Sequence, residues 1–75
     1  MSKFNFKVEN GKGIVEGPVY MTGEVVISGY VHVIIEHVDV LNDVYSFEVD
    51  GEDLDEGSLE WILEMIVDGN YKVAV

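Results

Sequence analysis

The sequence predicts an α+β fold, in which an antiparallel sheet of about five to six strands packs against one C-terminal helix. Apolar and polar residues alternate through most of the first fifty positions, as in strands that bury one face. Turn-forming pairs that contain Gly, Asn or Asp separate these segments. Near the C-terminus the apolar spacing becomes that of a helix. With 75 residues, the chain is expected to form a single domain over 1–75.

The first two strands are predicted to form a hairpin. Residues 3–9 alternate between polar and apolar, and Asn10-Gly11 is a strong signal for a two-residue turn. Such a turn pairs Glu9 with Lys12, which places opposite charges across the hairpin. Gly17-Pro18 ends the second strand, because proline cannot donate to a ladder.

The middle of the chain holds a longer alternating pattern. Residues 19–35 carry apolar side chains at most odd positions, with a break at Ser28-Gly29. A three-residue loop at this break opposes Ile27 to Val31 and keeps the odd positions on one face, so we prefer it. A single bent strand is the alternative. Near Glu36-His37 the apolar positions become even-numbered, which predicts a bulge or a strand end.

The rest of the chain predicts one helix between two strands. A turn at Asn42-Asp43 is followed by a strand with Tyr45, Phe47 and Val49 facing inward. A turn at Asp50-Gly51 and a charged connection over 52–57 lead to a helix over 58–68. A last strand is predicted over 71–75. Gly69-Asn70 is a typical signal for the end of this helix.

The predicted helix has a core stripe and an outer face. The stripe follows the spacing of one helix face and comprises Leu59, Ile62, Leu63, Ile66 and Val67. At about 100° per residue, Trp61 points away from this stripe toward solvent, with Met65 beside it. Three interpretations of Trp61 stay open: an anchor for a foreign partner, a homodimer contact, or a side chain covered by its own chain.

A row of carboxylates lies along the flank of the same helix. Its members recur every four residues: Glu56, Glu60, Glu64 and Asp68. All four align if the helix begins at Asp55, and only three do if Ser58 is the cap. Like charges at this spacing destabilise a helix, as do carboxylates near its C-terminal end. An aromatic residue ringed by carboxylates is typical of a binding anchor with a polar rim.

Negative charge is concentrated in the second half of the chain. Residues 1–35 sum to zero, whereas residues 36–75 hold twelve carboxylates against Lys72 alone and carry the whole net charge of −11. Self-repulsion of this size is more than solubility requires, so it indicates a basic partner or a cation. The predicted partner-binding residues are Trp61, Met65, Glu52, Asp53, Asp55, Glu56, Glu60, Glu64 and Asp68.

The sequence gives little support for catalysis or for the binding of cofactors, nucleic acids, membranes or calcium. Arginine and cysteine are absent, and no nucleophile elbow or phosphate-binding glycine loop occurs, so we expect no enzymatic activity and no cofactor. Four lysines do not make a nucleic-acid footprint, and acidity disfavours anionic membranes. Asp53, Asp55 and Glu64 match three positions of an EF-hand loop, but its turn glycine is misplaced. A cytoplasmic protein without a membrane span is expected, since no long apolar run occurs.

These observations predict a non-enzymatic module that binds a basic protein, as an inhibitor or nucleic-acid mimic. Carboxylates at regular spacing would stand in for phosphates and occupy a nucleic-acid-handling enzyme. In size, acidity and lack of Arg and Cys, the chain resembles the small inhibitor proteins that bacterial viruses use against host nucleases and CRISPR effectors. This resemblance lies in composition and assigns no site residues. The alternatives are a homo-oligomeric module whose acids confer solubility and, weakest, a divalent-cation-binding module.

Overall fold

A computed structural model describes residues 4–74. Within them the elements follow in the order β1 (Asn5–Glu9), β2 (Lys12–Glu16), β3 (Gly23–Ile27), β4 (Val31–Asp39), β5 (Val44–Val49), α1 (Glu56–Val67) and β6 (Tyr71–Val73). Lys3 and Val75, predicted to belong to the first and last strands, lie outside the described residues.

The six strands form one antiparallel sheet in the order β1-β2-β5-β4-β3-β6, and α1 packs on one of its faces. The predicted α+β class, with an antiparallel sheet and one C-terminal helix, is therefore confirmed. Consecutive strands form three hairpins, β1-β2, β3-β4 and β4-β5, and the pairing of β2 with β5 joins the first hairpin to the other two. Among the described residues, α1 is the only helix, and no helix has the length and apolar character needed to cross a membrane.

The predicted turns set the observed register. Asn10 and Gly11 both have positive φ, as a two-residue hairpin turn requires, and Glu9 pairs with Lys12. Ile27 pairs with Val31, which confirms the three-residue loop and excludes a single bent strand. The register between β4 and β5 shifts after His37, where the change in apolar parity predicted a bulge or a strand end, and β4 continues to Asp39, so the bulge is the correct alternative.

Two elements begin at a different residue from the one predicted. β3 starts at Gly23 instead of near residue 19, because residues 17–22 form a loop that buries Val19 in the core. The helix begins at Glu56, two residues before Ser58, because the Asp55 side chain caps it. Both differences reflect contacts that alternation and spacing do not encode.

The core lies between the sheet and α1. Its buried members are Val15, Val19, Val25, Ile27, Val33, Ile35, Tyr45, Phe47, Leu54, Leu59, Ile62, Leu63 and Ile66. Leu54 belongs to the connection that was predicted to be only charged. Its backbone N–H donates to the Gly11 carbonyl oxygen at 2.9 Å, so this connection is fastened to the β1–β2 turn. Val67, predicted to lie in the core stripe, is exposed.

Candidate functional site

The start of α1 decides how its carboxylates align. Asp55 is the N-cap, and its Oδ1 accepts a hydrogen bond from the Ser58 backbone N–H at 2.7 Å. This hydrogen bond holds the pKa of Asp55 below its ordinary value. Because the helix begins immediately after Asp55, the four-residue series from Glu56 to Asp68 is complete, with Asp68 as the C-cap. Asp55 itself has a structural role in addition to its charge.

The carboxylates of the helix lie along its solvent side. Glu56, Glu64 and Asp68 are exposed and Glu60 is half-buried. At a rise of about 1.5 Å per residue, successive members are spaced by about 6 Å along the axis. No basic residue occupies the last turn, where the helix dipole is negative. The series is therefore a solvated row of negative charge, without local compensation from the helix itself.

The connection before the helix extends this negative surface. Glu52 and Asp53 are exposed, and the Asp53 carboxylate lies directly over Gly11 of the β1–β2 turn. An open cleft of about 340 Å³ separates that turn from the end of β5 and contains Lys12 and Glu48 on its wall. We refer to residues 50–68, which hold eight carboxylates and no Lys, Arg or His, as the acidic segment. Within residues 4–74, none of its carboxylates forms an ion pair.

Trp61 does not stand out into solvent as the helical angles predicted. Trp61 and Met65 are both half-buried and pack against the core cluster. A long aromatic side chain on the outer half of a helix can fold back over its edge, which angles per residue do not describe. The exposed part of Trp61 is therefore smaller than expected, and much of the side chain is covered by its own chain.

The two sides of the molecule differ in charge. Side chains alternate along a strand, so Lys7 and Lys12 share the face of Ile14, opposite the core face of Val15. Lys72 pairs with Val26 and lies on that same face. All three lysines among the described residues therefore lie on the open face of the sheet, away from α1.

Glutamates accompany these lysines on the open face. There are five of them, in alternate positions of the strands: Glu9, Glu16, Glu24, Glu36 and Glu48. Lys7 lies 3.0 Å from Glu9 and Lys12 lies 3.7 Å from Glu48, so this face is partly neutralised. The acidic segment has no such compensation.

Comparison of the chain with protein-family models, curated proteins and solved structures finds no match.

The divalent-cation alternative is not supported by the geometry. Within residues 4–74, no group of three or more His, Asp or Glu side chains is placed to hold a metal ion. Asp53, Asp55 and Glu64, which matched part of an EF-hand loop, therefore do not converge. The Asp55 carboxylate is already engaged with the backbone of Ser58.

An exposed apolar turn was not singled out by the sequence. The turn between β4 and β5 carries Val40 and Leu41, which are 72% and 96% exposed. The change of apolar parity near Glu36-His37, which includes Val40, predicted a bulge or a strand end, and Asn42-Asp43 predicted a turn, but neither pattern marked an exposed apolar pair. The available signal was an apolar pair directly before that turn, at positions where polar residues usually occur.

Proposed function

We propose that this protein is a non-enzymatic binding module that engages a positively charged protein through its acidic segment, as an inhibitor or nucleic-acid mimic. The observation that supports this proposal is the difference in ion pairing between the acidic segment and the open sheet face. The described lysines lie on the open sheet face, whereas the acidic segment presents eight carboxylates without an ion pair among residues 4–74. An unscreened field of one sign accelerates association with a basic cleft.

The spacing of the carboxylates supports nucleic-acid mimicry in particular. Glu56, Glu60 and Glu64 project from one rigid helix at regular intervals of about 6 Å, so they present a fixed row of negative charges, as a nucleic acid backbone does. A helix holds such a row without the entropy loss that a flexible acidic tail would suffer on binding. The exposed part of Trp61 would add an apolar contact beside the row.

The test compares two variants that change the net charge equally. Glu60→Lys with Glu64→Lys reverses charge within the acidic segment, and Glu24→Lys with Glu36→Lys does so on the open sheet face. Each purified variant is immobilised, and basic proteins retained from a bacterial lysate are identified at low and at high salt. Double-stranded DNA is then added as a competitor.

We expect a basic nucleic-acid-binding protein to be retained by the wild type and by the sheet-face variant. It should be lost from the helix variant, at high salt, and on addition of DNA. Equal retention by both variants would overturn the proposal. Equal loss from both would show that total charge, and not the acidic segment, determines binding.

The proposed contact of Trp61 is tested by measuring association and dissociation rates of the variants with the protein that the wild type retains. Reversal of charge at Glu60 and Glu64 should mainly slow association, because it weakens steering. Trp61→Ala should mainly speed dissociation, because it removes a short-range contact. Unchanged dissociation for a folded Trp61→Ala variant would remove Trp61 from the proposed interface.

A further inference from the structure

The turn between β4 and β5 presents apolar side chains to solvent. We refer to residues 40–43 as the hairpin tip. Val40 is 72% exposed and Leu41 is 96% exposed, and neither contributes to the core. Tyr20, which is 81% exposed, lies in the neighbouring loop over 17–22. Exposed apolar residues that occur together, and not singly, mark interaction surfaces.

A hydrogen-bonded clamp holds the tip in one conformation. The Asp39 carboxylate accepts two hydrogen bonds from Asn42, from the backbone N–H at 3.1 Å and from the side-chain amide at 2.9 Å. The side-chain and backbone hydrogen bonds from Asn42 hold the pKa of Asp39 below its ordinary value. The Asp43 N–H donates to the Val40 carbonyl oxygen at 3.4 Å and closes the turn.

The base of the tip is fastened to the body of the protein. The Gly17 N–H donates to the Asp43 carbonyl oxygen at 3.1 Å. The His37 ring stacks on the Tyr45 ring with centroids 4.1 Å apart, and His37 Nε2 lies 3.1 Å from Asp43 Oδ1. Burial and the neighbouring Asp43 carboxylate raise the pKa of Tyr45. The tip is therefore ordered before any partner arrives, which lowers the entropy cost of binding.

The charge around the tip indicates what it contacts. Residues 13–71 contain no Lys or Arg, and the charged side chains at the tip and its base are Asp39, Asp43 and Glu16, which pairs with the start of β5. A second copy of the chain would bring like charges together, and an anionic membrane would repel the same carboxylates. A protein pocket that is apolar inside and lined by Lys or Arg at its rim is complementary to both features.

We propose that the hairpin tip is a second binding surface, which inserts Val40 and Leu41 into an apolar pocket with a basic rim on a protein partner. This surface lies at the opposite end of β5 from the acidic segment, so the two are separate. Asp39 serves as a positioning residue that fixes the turn. The proposal does not depend on phosphate mimicry by the helix.

The test places a benzophenone photo-crosslinking side chain at position 41, and at position 73 as a control. Val73 is also an exposed apolar residue, but it lies on β6 at the edge of the sheet. The full chain is irradiated in lysate of its source organism, and the crosslinked peptides are sequenced. Leu41→Ser and Val73→Ser variants are compared for retention of the same protein, with circular dichroism to verify folding.

We expect position 41, and not position 73, to crosslink to an apolar segment flanked by Lys or Arg on one protein. Leu41→Ser should reduce its retention by about tenfold or more, as for loss of one buried Leu contact, while Val73→Ser leaves it unchanged. Equal retention by the two variants would overturn the proposal. So would crosslinks from position 41 to a second copy of the chain, or cosedimentation of the wild type with phosphatidylcholine vesicles that Leu41→Ser abolishes.

The result of the crosslinking experiment can be distinguished from the result of the charge-reversal experiment. Charge reversal at Glu60 and Glu64 tests the helix alone, because both residues belong to α1, whereas the tip is the turn between β4 and β5. A tip that crosslinks while charge reversal has no effect would leave this proposal intact and overturn the function assigned to the helix.

Discussion

Leu59 of the helix occupies the space that a side chain at Gly13 would need. A Cβ atom built at Gly13 would lie 2.7 Å from one methyl carbon of Leu59 and 3.0 Å from Leu54. Both leucines are buried, so neither can move aside into solvent. The absence of a side chain at Gly13 therefore allows α1 to approach β2 closely enough to complete the core.

Gly13→Ala is expected to destabilise the fold by about 1–3 kcal/mol, because a methyl group is forced into a filled core. The free energy of unfolding, measured by urea denaturation, reports this loss. Gly57→Ala is the matched control, since its Cβ would make only an ordinary contact of 3.6 Å with Asp55. That variant should stabilise the protein by up to about 1 kcal/mol through helix propensity. Similar effects of the two substitutions would contradict this account of the core.

Asp55→Ala is expected to lower the melting temperature, because the Ser58 backbone N–H loses its acceptor. Asp55→Asn should retain much of the stability, since an Asn side chain also caps a helix. Asp53→Ala, at an exposed carboxylate outside the helix, provides the control. If Asp53→Ala and Asp55→Ala lowered the melting temperature equally, charge and not capping would explain the effect.

The contribution of Asp55 should depend on pH in a defined direction. Its pKa in the folded protein lies below the ordinary value of 3.8, because the Ser58 N–H stabilises the carboxylate. The stabilisation is therefore complete above pH 3.8 and is lost as the pH falls through the lower folded pKa. The difference in unfolding free energy between wild type and Asp55→Ala should be constant near neutrality and shrink in acid. A difference that grew on acidification would contradict the assignment.

Glu64→Lys and Glu56→Lys should have opposite effects on stability, although both change the net charge equally. Glu64 lies toward the negative end of the helix dipole between two further carboxylates, so its reversal should stabilise by about 0.5–1 kcal/mol. Glu56 occupies the first turn, where a carboxylate is favourable, so its reversal should destabilise. Urea denaturation at low salt measures both effects, which should diminish at high salt. Effects of the same sign would indicate that only net charge matters.

Trp61 fluorescence should report a side chain packed on its own core. Trp61 is the only tryptophan, so the emission comes from one site. We expect an emission maximum at shorter wavelength than in the urea-unfolded chain, and no change on serial dilution. A shift on dilution would favour the homodimer contact. An emission maximum equal to that of the unfolded chain would contradict the packing of Trp61 against the core.

Local features of this protein followed from the sequence because they depend on neighbouring residues. The two-residue turn at Asn10-Gly11 and the loop after Ile27 follow from backbone freedom and alternation. The shift after His37 follows from a change in parity, which a bulge must accompany. The sequence likewise determined that negative charge is concentrated in residues 36–75. These properties could be predicted without knowing which strands pair.

Only the tertiary structure decided the strand order, and with it the charge on each face. β2 pairs with β5 across 27 intervening residues, and turn chemistry does not determine such a distant pairing. That pairing brings Lys12 of β2 to 3.7 Å from Glu48 of β5, which partly neutralises the open sheet face. Packing against the core likewise covers much of Trp61, which helical angles had directed to solvent, because burial depends on what packs beside a residue and not on its angle alone.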